Sequence, residues 1–548
     1  MTQNEVHALF WPWAILSSDK EKVSLGSENA VLPFKGSALL SSPRESRIIP
    51  IGGVADLSKL SESGQRDLYE LPLVVGNESK KLLQIQGDET RWEISLSGAR
   101  TRYETDEANQ TQETSESIAI FDWWDAFDDI SNLGLEPDGA IGWNKITEWF
   151  SKEKSSKDPR RALIVEIAET VGPKLNDRVR HLRRILFRRH DMVPVHEIRQ
   201  FDERSLRWYV RQPGETLAEK AGNKQEVLAV VRQETFDTVE NRVLKDFLNR
   251  CNRAANRYLS RFQDEYPRSQ RVITVRRYAR ACKEYLALPE FNFVRNPRTG
   301  VQPNYVLQTD SRYRDIWLWY QKLLKNQDSE EEIWSWQGRL WADVCRLLVG
   351  TASQLAASTE TQELSPLALS QSSFFISPEG RLGSRLLGSW GPGPLPIVSR
   401  KSFSAMLSVI DASQIRRHPL AKNCGSAGGH VYLVKESVSG KGSHTEILVI
   451  WSINALASTH VFDSEKASLS ATSALAALQE KFDSAGNAAI YLNGLILASQ
   501  NGSEITTEIS PKKSTRFFPQ VSVLKIGSSP NCWDDATIEI AQHLEQWL

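Results

Sequence analysis

The chain has 548 residues, of which 40% are apolar and 25% charged, and its 67 Lys+Arg nearly balance 68 Asp+Glu. It is too long for one hydrophobic core and too mixed in composition for a disordered or fibrous chain, which leaves a globular protein of about three domains. Five scattered cysteines, with no CxxC pair and no histidine at ligand spacing, argue against a disulfide scaffold or a zinc finger and fit a reducing compartment.

The N-terminal stretch lacks a charged leader, and its short apolar run is broken by Pro12. No window approaches eighteen uninterrupted apolar residues. A cytoplasmic protein with no membrane partner is expected. From 1 to 118 the segments are short, β-branched and broken by Gly, Ser and Pro, as in RIIPIGG, YELPLVVG and RWEISLSG, predicting a β-rich module. The polar, acidic run TRYETDEANQTQETSES (101–117) reads as a mobile linker. FDWWDAFDDI follows, with Phe121, Trp123, Trp124 and Phe127 expected to pack onto a neighbouring domain with solvated aspartates between, a partner-docking motif being the alternative.

From about 119 to 357 the period becomes helical, in ITEWFSKE, RRALIVEIAETV, QRVITVRRYARACKEYLAL and SRYRDIWLWYQKLL. In ETFDTVENRVLK, Asp237 is expected as N-cap and Glu240 as its capping-box partner, an arrangement that contributes about 1 kcal/mol. Beyond it Val243, Leu244, Phe247, Leu248 and Cys251 mark a buried face, while Arg242, Lys245, Arg250, Arg253, Arg257 and Arg261 mark a basic one. KLNDRVRHLRRILFRRH is expected as one helix, with Arg180, Arg184 and Arg188 one turn apart and Arg189 beside them. From 358 to 548 alternating strand and helix signals, such as EILVIWSINA, ATSALAALQEKF and AAIYLNGLILAS, predict an α/β layer domain. STETQELSPLALSQSS and GSWGPGPLP are expected as loops.

The balanced total hides a segregation of charge. Residues 1–140 carry 12 Lys+Arg against 24 Asp+Glu, whereas residues 174–283 carry 26 against 14. A basic middle points to a polyanion or to attraction between domains. Guanidinium forks suit phosphate oxygens, so Arg180, Arg184, Arg188, Arg189, Arg242, Lys245, Arg253 and Arg257 are the candidate DNA contacts. The competing possibility is that these side chains pair with the acidic module or form a solvated face. Trp208, Tyr209, Tyr258, Tyr278, Tyr305 and Tyr313 could stack on unpaired bases, while Trp317, Trp319, Trp334, Trp336 and Trp341 are better explained as core.

Catalytic signatures fail. SGKGSHTE lacks the GxxxxGK[ST] frame, there is neither GxSxG nor HExxH, and His418, His430, His444 and His460 lack ligand spacing. No catalytic residue, metal or cofactor is expected.

Three stretches carry a resemblance: VPVHEIRQFDERSLRWYVRQPGETLAEKAG, ETFDTVENRVLKDFL and PNYVLQTDSRYRDIWLWYQKLL. In this order, residues 181–320 resemble the McrC-like family of restriction and antiphage components. The resemblance implies a helical module beside a PD-(D/E)XK nuclease fold, working with an AAA+ motor or helicase against foreign DNA. The nuclease motif itself is where this chain departs. Such a site needs paired carboxylates for Mg²⁺ and a lysine for water, yet EILVIWSINA offers Ile450, Trp451 and Ser452 after Glu446. The fold class expected is multidomain α+β: a β-rich acidic module, a basic helical domain and a degenerate nuclease-like α/β domain. The function expected is a non-catalytic subunit that binds duplex or single-stranded DNA alongside other defence subunits. A metal-dependent nuclease and a scaffold without DNA contact are the alternatives.

Overall fold

A computed structural model describes residues 162–298 and 300–360 without a break, and 102–160 and 421–547 apart from short loops. Before 102 and between 361 and 420 it describes little beyond strand segments. Two compact units emerge: residues 1–156 with 328–548, and residues 157–327.

The first unit is mixed α+β. Its seven-stranded sheet begins with an antiparallel meander, Leu395–Arg400, Phe403–Asp411, Val431–Ser439 and Gly442–Ile453. Helix Ser464–Ser484 then crosses over to Ile490–Gln500, which runs parallel to Gly442–Ile453, and Val521–Gly527 adds a further parallel strand. Parallel strands joined by helices are covered on both faces, and the alternation obeys this. Leu433, Leu448, Ile450, Leu495 and Leu497 pack with helices Ser115–Ser131, Trp143–Lys154, Gln337–Glu360 and Trp533–Trp547. Tyr432, Val434, Ile447, Val449 and Trp451 pack against Ser464–Ser484 on the other. Gly494 is required here, because a Cβ would lie 2.5 Å from the Trp451 ring.

In the aromatic run after residue 118, Phe121, Trp123 and Phe127 are buried in the core of their own unit and Trp124 packs partly buried against it. Trp123 is fully buried, donates from Nε1 to the Ser528 carbonyl at 2.7 Å and lies 4.7 Å from Trp341, centroid to centroid. The linker expectation for 101–117 is corrected where the stretch is described, residues 101 and 106–110 lying outside the described residues. Strands Tyr103–Thr105 and Thr111–Glu113 pair antiparallel, and Thr114 Oγ1 caps the helix that begins at Ser115 by accepting from Ser117 N at 3.3 Å. Local pairing and an N-cap outweigh polar composition there. Of the loops expected between the helical and α/β regions, 361–372 and 388–394 lie outside the described residues. The N-terminal strands form one five-stranded and one four-stranded sheet.

The second unit is helical around one core of Val243, Leu244, Phe247, Leu248, Val272, Val275, Ile316 and their neighbours. Its longest inner helix, Val239–Phe262, packs against Gln270–Leu286. One element overturns the helical expectation. Gly172–Arg180 ends at Arg180, and Ile185–Pro194 is a strand paired antiparallel with Glu226–Thr235. The contiguous apolar run Ile185, Leu186, Phe187 fits a ribbon, whereas a helix would need it spread over turns. The four-residue spacing of the arginines mimicked a helix.

Candidate nucleic-acid interface

The motif DTVENRVLK builds a fixed hub at the start of the long helix Val239–Phe262. Thr238, not Asp237, is the N-cap, its Oγ1 accepting from Asn241 N at 3.3 Å. Asp237 instead grips Arg242 with both oxygens, at 2.6 and 2.7 Å, and accepts from Arg295 N at 3.0 Å. The Arg242 hydrogen bond, above all, holds the Asp237 carboxyl below the usual carboxylate range. Asn241 is fully buried and joins three segments: Nδ2 donates to the carbonyls of Arg183 and Phe236, both at 2.8 Å, and Oδ1 accepts from Tyr313 OH at 2.8 Å. Tyr313 OH in turn accepts from Arg183 N at 3.0 Å. Glu240, almost fully buried, accepts from the Arg183 guanidinium and from Asn304 Nδ2. Burial by itself would raise its pKa, but its own backbone N–H, Asn304, Thr238 and Arg183 together take it below the usual value. Lys245 Nζ donates to the carbonyls of Phe291 and Val294 at 2.8 and 2.6 Å.

The eight basic residues expected at a DNA surface therefore divide by position. Arg242 and Lys245 are half-buried and engaged with the hub. Arg257 is half-buried and engaged within the protein as well. Arg180 ends its helix, Arg184 lies in the following loop, and Arg188 and Arg189 are strand neighbours on opposite faces, so the one-turn ladder does not form. Arg184 and Arg189 are exposed and lie 3.4 Å from Glu234 and 3.6 Å from Asp191. Arg180, Arg188 and Arg253 are exposed, with no acidic partner among the described residues. Arg188 stands directly across the ribbon from Arg232, also exposed. Arg232 escaped the sequence reading because only strand register reveals it; exposed Arg277 and Arg280 on Gln270–Leu286 escaped it as well, although helical spacing marked their face.

Tyr258, Tyr278 and Tyr313 are buried, which corrects their reading as stacking platforms. Trp208 and Tyr209 are half-buried and Tyr305 is exposed. Trp317, Trp334, Trp336 and Trp341 are core, as expected.

Beside the hub opens a cleft of about 570 Å³, lined by Arg180, His181, Arg183, Arg184, Arg312, Asp310, Glu290, Phe236 and Tyr313, with Val179, Leu182 and Val306 as apolar wall. Arg312 is paired with Asp310 at 2.9 Å.

Residues 146–320 match DUF2357, a domain of unknown function. The hub and every residue lining the cleft fall inside that match. No curated protein matches the sequence. Among solved structures, a half-complex from a tetradecameric assembly of Thermococcus gammatolerans McrB AAA+ hexamers with bound McrC is similar at 8% identity, over 94% of this chain and 100% of that one, with a TM-score of 0.21.

In the C-terminal sheet, Ile450 and Trp451 are fully buried and Ser452 nearly so. Glu446 lies 3.7 Å from Lys435 on the adjacent strand and 3.4 Å from His444. Reading along one strand missed this pair, because acid and lysine meet across the register Lys435↔Glu446. His430 is buried and accepts from Ser452 N at 3.3 Å, while His418 and His460 lie outside the described residues. Among the described residues no group of three or more His, Cys, Asp or Glu is placed to hold a metal, and no helix is long and apolar enough to cross a membrane.

All five cysteines are free and buried. Burial pushes the Cys282, Cys345, Cys424 and Cys532 thiols up to about 12 and raises Cys251 as well. A thiolate is the reactive species, so the native protein should titrate no thiol with Ellman's reagent at pH 8 and five in denaturant. Rapid native labelling would contradict this burial.

Proposed function

We propose that the chain is a non-catalytic DNA-binding subunit of a bacterial restriction or antiphage assembly, working with a motor ATPase, GTPase or helicase. The observation that carries the DNA contact is the cross-strand pair Arg188 and Arg232. Like charges directly opposite in a ribbon are destabilising on their own, and a phosphate between them turns that repulsion into two charge-assisted hydrogen bonds. Exposed Arg180, Arg253, Arg277 and Arg280 extend the basic surface of the same unit.

The assembly rests on the three motifs that resemble McrC-like proteins, over the stretch that matches DUF2357. The α/β domain is read as a nuclease-like fold without its metal seat. Its meander, crossover helix and parallel strand suit that fold, and Ile450, Trp451 and Ser452, all buried, stand where an acid and a lysine would be needed. Partner subunits would dock on it or on the acidic N-terminal module.

The test is fluorescence anisotropy of duplex and single-stranded oligonucleotides titrated against salt, with a parallel plasmid incubation in Mg²⁺ or Mn²⁺. Binding should weaken steeply and linearly in log salt, and the plasmid should stay intact. Absent binding at low salt defeats the DNA reading, and metal-dependent nicking defeats the non-catalytic one.

A further inference from the structure

We infer that the arginine-lined cleft beside the hub is a site for a nucleoside phosphomonoester, either a free nucleotide or the phosphorylated end of a strand. The second source rests on the DNA-binding reading above; the first stands without it.

Size, charge and an apolar wall point the same way. About 570 Å³ falls within the range of small-molecule sites. The arginines are not equivalent. Arg183 is balanced by Glu240 and Arg312 by Asp310, which leaves Arg180, with no acidic partner among the described residues, and Arg184, loosely held by exposed Glu234. One unpaired guanidinium, and one held only by an exposed carboxylate that it can exchange for a ligand, suit a phosphomonoester, which carries roughly −1.5 to −2 at neutral pH, better than a singly charged diester. Arg183 and Arg312 keep spare N–H donors, since a guanidinium has five in a fixed fork.

A bare anion leaves the apolar part of the cleft unused. Phe236, Leu182 and Val306 offer a surface against which base and sugar pack. A ligand with a dianionic end and a flat, largely apolar end matches both parts of the lining, and a nucleotide has both.

The experiment is calorimetry of the full chain with dAMP, dGMP and inorganic phosphate at fixed ionic strength. Alongside it runs an anisotropy competition between oligonucleotides bearing a 5′-phosphate, a 3′-phosphate or neither. The nucleotides should bind at least tenfold more tightly than inorganic phosphate. Arg180→Ala should weaken them at least tenfold, and Phe236→Ala should narrow the gap between nucleotide and phosphate. A tenfold advantage for a phosphorylated oligonucleotide identifies the strand end as the source, and binding of mononucleotides without that advantage identifies the free nucleotide. Nucleotides no tighter than phosphate, with no end preference, overturn the inference. Loss of all oligonucleotide binding with nucleotide binding intact overturns the DNA reading alone.

Discussion

Replacing Asn241 with alanine is expected to lower amide protection along helix Val239–Phe262 by about two orders of magnitude in hydrogen exchange of the full chain. The side chain is fully buried and satisfies the carbonyls of Arg183 and Phe236 and the hydroxyl of Tyr313. The Arg183 carbonyl left dry costs about 1–3 kcal/mol. The Phe236 carbonyl keeps the bond from Thr238 N at 2.8 Å and Tyr313 keeps the one from Arg183 N, so their losses are smaller. The sum is about 3 kcal/mol, and 1.4 kcal/mol is a factor of ten. Glu240→Gln is the contrast. It keeps the shape and the Asn304 contact but loses the charge facing Arg183, whose side chain is 39% exposed and turns to water, so the cost is nearer about 1 kcal/mol. The folded pKa of Glu240 is depressed, so its contribution is present above the usual glutamate range and is lost as pH falls through the folded value. The wild type should lose that increment in acid and the glutamine variant should not. Protection unchanged in Asn241→Ala would remove the hub as the element that fixes this unit.

Much of this fold was legible because its elements carry unmistakable periods. The Val239–Phe262 helix and the buried strand around Trp451 could be read from spacing alone. The stretch from Arg180 to Pro194 was misread for a physical reason: its arginines recur every fourth residue, and only pairing with Glu226–Thr235, over thirty positions later, makes it a ribbon. Side-chain destination was less legible still. Arg242 and Arg253 look alike in sequence, yet one closes on Asp237 and the other is exposed. Asp237 likewise satisfied every rule for an N-cap, but Thr238 one residue later caps equally well, and the shift frees the carboxylate for Arg242. The cleft was invisible because its walls come from four separated segments around residues 180, 236, 290 and 310.

That division of like residues yields the sharpest expectation for the DNA surface. A triple variant, Arg180→Ala with Arg188→Ala and Arg253→Ala, should flatten the dependence of log affinity on log salt by about 2.7, at about 0.9 per phosphate contact on duplex DNA. Each exposed contact contributes up to about 1 kcal/mol, so affinity near 0.1 M salt should fall by up to about a hundredfold. None of the three side chains has an acidic partner among the described residues, so stability should scarcely move. Arg242→Ala and Lys245→Ala should behave the opposite way. Each abandons buried acceptors, Asp237 in one case and the carbonyls of Phe291 and Val294 in the other, so each should loosen the hub while leaving the salt slope near the wild-type value if the fold persists. The pairing of results is what discriminates, because a nonspecific loss of fold lowers affinity without this separation. If the triple variant keeps the wild-type slope, the exposed arginines are a solvated surface and the DNA contact lies elsewhere or nowhere.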